Sequence, residues 1–251
     1  MFGLFKKRKH DCRSSGYGSP TRICEHLSAG QHLGWFVRRD PDDADASWPD
    51  AWCGACNEMV VAAGKEADRA VAAIRFSSVC DGCYERHRDR NWPGDSEGQM
   101  ARLLGRAKTE LALRQQRLRA RYDLDRFDWF EWEDETHRLL LSKRATGQRV
   151  AATVQIVGSF SHRTHTWFWN WGRDDKDERE KQRLREIRRH GEENALLKLA
   201  VPHWPGDERD AWDMTAIACL FVASEGIYRT PHENGHTYML VLAVEELSQL
   251  Q

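Results

Sequence analysis

A chain of 251 residues has room for one large domain or two modest ones, and 40% hydrophobic with 31% charged residues marks a folded globular chain, not a disordered one. Lysine plus arginine (38) and aspartate plus glutamate (39) nearly cancel, so no global field draws the chain to nucleic acid or to a membrane. Eleven tryptophans are the unusual feature of the composition; large aromatics bury much area each and are expected in the core or on a binding face.

The first residues read MFGLFKKRKH, a short apolar stretch followed by the basic run Lys6-Lys7-Arg8-Lys9. A secretory signal has the opposite order and a longer apolar part. Residues 1–22, basic and then rich in Ser, Gly and Pro, are expected to be a flexible lead-in. The most apolar segment, Ala211 to Val222, contains Asp213 and is too short to span a bilayer. These features predict a cytoplasmic protein without a transmembrane segment.

Residues 23–92 carry the cysteines. Six of the seven lie before residue 84, and four of them form the pairs Cys53-x-x-Cys56 and Cys80-x-x-Cys83. With no export signal, metal binding outranks disulfides. Two C-x-x-C turns can close a tetrahedron around zinc, so the favoured ligand set is Cys53, Cys56, Cys80 and Cys83. A rival set, Cys24, His26, Cys53 and Cys56, would also make a complete Cys₃His site, and a two-metal arrangement would need eight ligands or shared sulfurs, with His87 and Cys12 as further candidates. Either set of four protein ligands leaves no open position, which makes the zinc structural. The segment after Cys83, YERHRDR, is expected to be helical.

From residue 93 the pattern becomes that of a second domain, 93–251. Met100, Leu103, Leu104, Ala107, Leu111, Leu118 and Tyr122 mark one face of a long helix, with Ser96 and Gln99 as its capping box. Arg102, Arg106, Lys108, Arg114, Arg117, Arg119 and Arg121 decorate it, and a basic helix beside a zinc module is a nucleic-acid footprint. The acidic residues from Asp123 to Glu135 offer a neutralising alternative. Strands are predicted at Phe127–Trp132, His137–Ser142, Arg149–Phe160 and Thr166–Trp171, forming a four-stranded meander with turns at Glu133-Asp134-Glu135 and His162-Arg163-Thr164. Asp174–His190 reads as a charged helix with a thin stripe of Leu184 and Ile187, and Glu192–Val201 as a short helix stopped by Pro202. Asp210–Ser224 reads as a buried helix ended by Gly226, and Tyr238–Val244 as a last strand. The fold class is therefore α+β: a zinc-bound N-terminal module followed by an antiparallel β-meander packed against helices.

In the predicted strand TWFWNWG, Trp167, Trp169 and Trp171 share one face, as a wall of the core or as a platform for a ligand or partner. No Gly-rich phosphate loop, G-x-S-x-G or H-E-x-x-H is present. His162, His165, His203, His232 and His236 fall in polar turns, and no nucleophile or paired carboxylate is placed beside them by spacing, so no catalytic residue is assigned.

Two resemblances follow from these motifs. CEHL with WCGAC resembles, over a few residues, the zinc fingers found beside ubiquitin proteases, where a C-x-H pair joins a later C-x-x-C. VGSFS, TWFWNWG and AWDMTAIACLFVASEGIYRTP together resemble domain-of-unknown-function family 6882 over about residues 97–247. The second resemblance implies a bacterial, cytoplasmic protein and no activity. The expected function is that of a non-enzymatic zinc protein that docks another protein, with a defence or immunity role suggested by analogy to other small two-module bacterial proteins. Nucleic-acid binding through the zinc module and basic helix, and a small-molecule or enzyme pocket on the Trp-rich sheet, are the alternatives.

Overall fold

The computed structural model of the protein describes residues 10–12, 16–18, 21–37, 48–94, 98–133, 136, 138–172 and 178–247. The chain divides into two units, Met1–Ser96 and Glu97–Gln251.

In the first unit, β1 (His10–Cys12) and β2 (Gly16–Gly18) form a two-stranded antiparallel sheet. Then come β3 (Thr21–Cys24), α1 (Glu25–Ala29), β4 (Phe36–Val37), β5 (Ala51–Trp52), α2 (Gly54–Ala63), α3 (Ala67–Ala72), β6 (Phe76–Val79) and α4 (Asp81–Asn91). The expected helix after Cys83 is thus the body of α4. The strands make a sheet of order β4-β5-β3-β6, in which β3 runs parallel to β5 and antiparallel to β6. No long apolar period announces a core in this sequence, yet Ile23, Leu27, Trp35, Ala51, Trp52, Ile74 and Tyr84 are buried together with Cys24, Cys53 and Cys56. Trp35 meets Tyr84 edge to face with ring centroids 5.0 Å apart. The Tyr84 hydroxyl donates to the Pro49 carbonyl at 2.7 Å, so a polar tip is satisfied inside a small core.

The second unit starts with α5 (Gln99–Arg121), whose buried face is Leu103, Ala107, Leu111 and Leu118 as the periodicity predicts. Its N-cap is Gly98, in the left-handed region; Ser96, the expected cap, lies outside the described residues. Strands β7 (Trp129–Glu133), β8 (Arg138–Lys143), β9 (Gln148–Ser161) and β10 (Thr166–Trp169) follow. Next are α6 (Glu178–Glu193), α7 (Leu197–Ala200), β11 (His203–Pro205), α8 (Glu208–Ala218), β12 (Gly226–His232) and β13 (Gly235–Leu247). Residues 134 and 135 of the predicted acidic turn, 137 at the start of the predicted strand His137–Ser142, and 174–177 of the predicted charged helix lie outside the described residues.

These seven strands form one antiparallel sheet, not an isolated four-stranded meander. Strand β13 pairs along nearly all of β9, while β8 occupies the first part of the other edge of β9 and β10 the last part. Register shifts at Tyr238/Met239 and Val241/Ala243 let β13 follow so long a partner. One predicted boundary is corrected. Gly226 does not end the buried helix, which is capped at Cys219; it opens β12, a strand that pairs with β13 through a tight turn. Alternation along β13 sends Tyr238 and Leu240 into one core and Met239 and Val241 into another, so both faces of the sheet are covered.

Trp167, Trp169 and Trp171 are buried in one cluster with Ala211, Met214, Ile217, Leu184 and Ile187. Trp171 enters it from a 3-10 turn, Asn170–Gly172, rather than from the strand. The expectation that these indoles offer a ligand or partner face is therefore corrected: α8 needs an apolar sheet to cover, and the indoles supply it. Among the described residues no helix is long and apolar enough to cross a membrane.

Candidate metal centre

Cys24 ends β3 and caps α1, and His26 lies in the first turn of that helix. Cys53 ends the segment after β5 and caps α2, with Cys56 in the first turn. Each pair thus sits where backbone N–H groups and the helix dipole favour negative charge. The Cys53 N–H points at Cys24 Sγ (3.4 Å). His26 Nδ1 lies 3.6 Å from Cys53 Sγ and 3.4 Å from Cys56 Sγ. All four donor atoms lie within 4.8 Å of one another; the three cysteines are buried and His26 is exposed.

Cys80 caps α4 and Cys83 lies in its first turn, but neither belongs to that group. The reason is strand direction. Ile23 of β3 pairs with Ala51 of β5 in parallel, so the two strands deliver Cys24 and Cys53 at the same end. Strand β6 is antiparallel to β3: Phe76 faces Cys24 and Val79 faces Thr21, so the chain leaves toward Cys80 at the opposite end. Three residues of strand separate the two ends by about 10 Å. The favoured set Cys53, Cys56, Cys80 and Cys83 is therefore not the one the fold gathers; the rival set Cys24, His26, Cys53 and Cys56 is. Cys83 Sγ instead lies 3.0 Å from the Arg86 guanidinium. His87 stands outside the group, and the Cys12 side chain lies outside the described residues.

The donors fit a tetrahedral zinc ion. Zn–S bonds of about 2.3 Å and Zn–N bonds of about 2.0 Å require donors roughly 3.3–3.8 Å apart. Burial raises the Cys24 thiol, and burial with the neighbouring Cys53 and Cys24 pushes Cys56 up to about 12. A divalent cation bound between these sulfurs would offset that cost and release the thiol protons.

A second convergence was not legible in the sequence. His162, in the turn after β9, Glu208, in the first turn of α8, and His236, near the start of β13, bring one donor atom each to one point. Their separation in sequence hides the grouping, which exists only because two hairpin turns and a helix start meet there.

The basic helix is partly neutralised within its own unit. Lys108 pairs with Asp213 at 2.9 Å, Arg114 with Glu110 at 2.7 Å, and Arg119 with Asp125 at 3.5 Å. Arg114 also donates to the carbonyls of Cys219 and Ser224. The three acidic partners come one each from α8, from α5 itself and from the acidic segment that follows the helix.

The second unit is an α+β domain with a long antiparallel sheet covered on both faces. Residues 101–244 match a family described as a family of unknown function, DUF6882, and the chain belongs to that family. No curated protein and no solved structure matches the chain. The cysteine–histidine group precedes the matched segment, whereas His162, Glu208 and His236 lie inside it.

Proposed function

We propose that the chain is a zinc-binding, non-enzymatic protein-interaction protein, with zinc held by Cys24, His26, Cys53 and Cys56. The observation that carries the reading is the gathering of these four donors within 4.8 Å by two helix starts. Thiolate ligands favour zinc over harder cations. Four protein ligands leave no position for water or substrate, which supports a structural role. Reduced cysteines and the family's implied bacterial origin support a cytoplasmic location.

The interaction role is supported by what surrounds the metal loops. Leu33 and Phe36 are each 39% exposed, and the Leu33 carbonyl accepts the Gly54 N–H at 2.8 Å, beside Cys53. Gly34, at φ +78°, lets the Phe36 ring approach; a Cβ there would lie 3.0 Å from it. Exposed apolar groups held on a rigid loop are what a protein partner docks against. The nucleic-acid reading has less support, because three of the seven cations of α5, Lys108, Arg114 and Arg119, already pair with acids.

The test is affinity capture with the full chain, comparing wild type with a Leu33→Ser/Phe36→Ser variant while measuring zinc in both. Zinc retained and the captured partner lost is the expected result. Identical partners on both proteins would refute the docking surface, and zinc-free wild type would refute the metal.

A further inference from the structure

The second convergence carries an inference independent of the cysteine site. His162 Nε2 lies 3.3 Å from Glu208 Oε1 and His236 Nδ1 lies 2.9 Å from the same oxygen. The two ring nitrogens are 3.3 Å apart. Three donors with these mutual distances are three corners of a coordination polyhedron. Metal–ligand bonds of about 2.0–2.1 Å place neighbouring donors roughly 2.9 Å apart in an octahedron and 3.3 Å apart in a tetrahedron. A purely ionic network explains the geometry poorly. Two protonated imidazoles would repel each other, and two neutral ones would have to take the tautomers that crowd both N–H groups, 3.3 Å apart, onto one Glu208 oxygen that Arg229 also approaches.

The donors are held by backbone, not by chance contact. The His162 N–H donates to the Asn234 carbonyl at 2.7 Å, which ties the turn after β9 to the β12–β13 turn. The Gly206 N–H donates to the His165 carbonyl at 2.8 Å, which ties the same turn to the start of α8. Asp207 and Asp210 form a capping box that fixes Glu208 in the first turn. The rings of His162 and His236 meet edge to face at 5.3 Å. Such preorganisation is what a metal site requires of its scaffold.

Polar groups continue beside the three donors. Tyr238, two residues beyond His236 on the same side of β13, is fully buried, its ring 6.3 Å from that of His236, and its hydroxyl feels both Arg229 and Glu208. It is the cross-strand neighbour of Arg229, whose guanidinium lies 3.5 Å from Glu208 Oε1. Glu208 and Arg229 also line a groove of about 530 Å³ shared with Arg119, Arg209 and Trp212.

We propose that His162, Glu208 and His236 form a second site, for a divalent first-row transition metal, in which positions left open by the three protein ligands accept a small anion. Two imidazoles and one carboxylate suit zinc, cobalt, nickel or iron, and exclude magnesium and calcium, which take oxygen ligands. Unlike the cysteine site, this one is incomplete in protein ligands, so it exchanges what it binds. Arg229 and Arg209 supply the positive surroundings that an anion on the metal needs.

The test uses the full chain, stripped of metal and titrated with cobalt(II). Wild type should take up two equivalents: one with thiolate-to-cobalt charge transfer from the cysteine site, one with only the weak visible bands of nitrogen and oxygen ligands. H162A/H236A should keep the charge-transfer band and lose the other equivalent, with an unchanged circular dichroism spectrum. Should that variant not fold, H162Q alone, at a half-exposed turn, should weaken the second equivalent at least tenfold. Inorganic phosphate should shift the weak bands of wild type and leave the charge-transfer band alone. A second equivalent that is missing in wild type, or that persists in the histidine variants, overturns the site; bands indifferent to phosphate overturn its open position. Loss of the charge-transfer band alone would speak only against the cysteine site.

Discussion

Trp169 and Trp204 donate their indole N–H groups to one acceptor, the carbonyl of Lys198, at 2.8 and 3.0 Å. The carbonyl is exposed to both rings because α7 is only one turn long and its last carbonyls lack helical partners. The Lys198 ammonium lies 4.3 Å from the Trp204 ring centroid and pairs with Asp210 at 2.8 Å. One residue thus ties the edge of the sheet to the start of α8. Trp169→Phe removes one of the two N–H donors and should cost about 1 kcal/mol. Trp169→Ala also opens a cavity and should cost about 3–5 kcal/mol. Urea unfolding followed by circular dichroism measures both.

Gly158 is where β9 passes closest to the indole layer. A Cβ there would lie 2.3 Å from the Phe168 carbonyl oxygen and 2.5 Å from the Trp167 ring. The backbone atom cannot give way as a flexible side chain would. Gly158→Ala should destabilise the second unit by about 1–3 kcal/mol or more, whereas Gly147→Ala, in an open turn, should cost less despite its positive φ. Equal losses in thermal unfolding would contradict this.

Alkaline pH should loosen the second unit. Burial raises the thiol of Cys219 above its ordinary 9.0 and the phenol of Tyr238 above its ordinary 10.0, the latter against the pull of Arg229. Both are acids that keep their proton longer when folded. Above pH 9 the unfolded chain therefore releases protons that the folded chain holds, and stability falls as pH rises through that range. Below about pH 8 neither group contributes an appreciable slope. Tyr238→Phe and Cys219→Ala together should flatten the alkaline limb of a plot of unfolding free energy against pH.

Removal of the cysteine-bound metal should act on the first unit. A structural zinc contributes on the order of 10 kcal/mol to a small metal-dependent fold. The first unit has a core of its own around Ile23, Trp52 and Tyr84, so chelation should release α1 and the start of α2 before the rest. Hydrogen exchange should show amides of 24–29 and 53–57 losing protection while those of β9 and β13 keep theirs. Protection unchanged throughout would contradict a structural metal.

Much of the second unit is legible from periodicity. The face of α5 and the thin stripe of α6 are buried as their spacing requires, Leu184 and Ile187 completely. Strand β12 is not legible, because Gly226 and Pro231 read as breakers and a short strand inserted beside β13 depends on pairing between distant segments. The same limit governs both sites. Cys80 and Cys83 read as the better partners for Cys53 and Cys56 than Cys24 and His26 until it is known that β3 runs with β5 and against β6. His162, Glu208 and His236 carry no spacing signal at all, since they come from two turns and a helix start far apart in the chain.

Zinc X-ray absorption fine structure on the H162A/H236A chain loaded with one equivalent tests the central claim most directly. The account predicts three sulfur ligands near 2.3 Å and one nitrogen near 2.0 Å, roughly the distances of a Cys₃His site. Four sulfurs would assign the metal to Cys53, Cys56, Cys80 and Cys83 and contradict the site described for this fold.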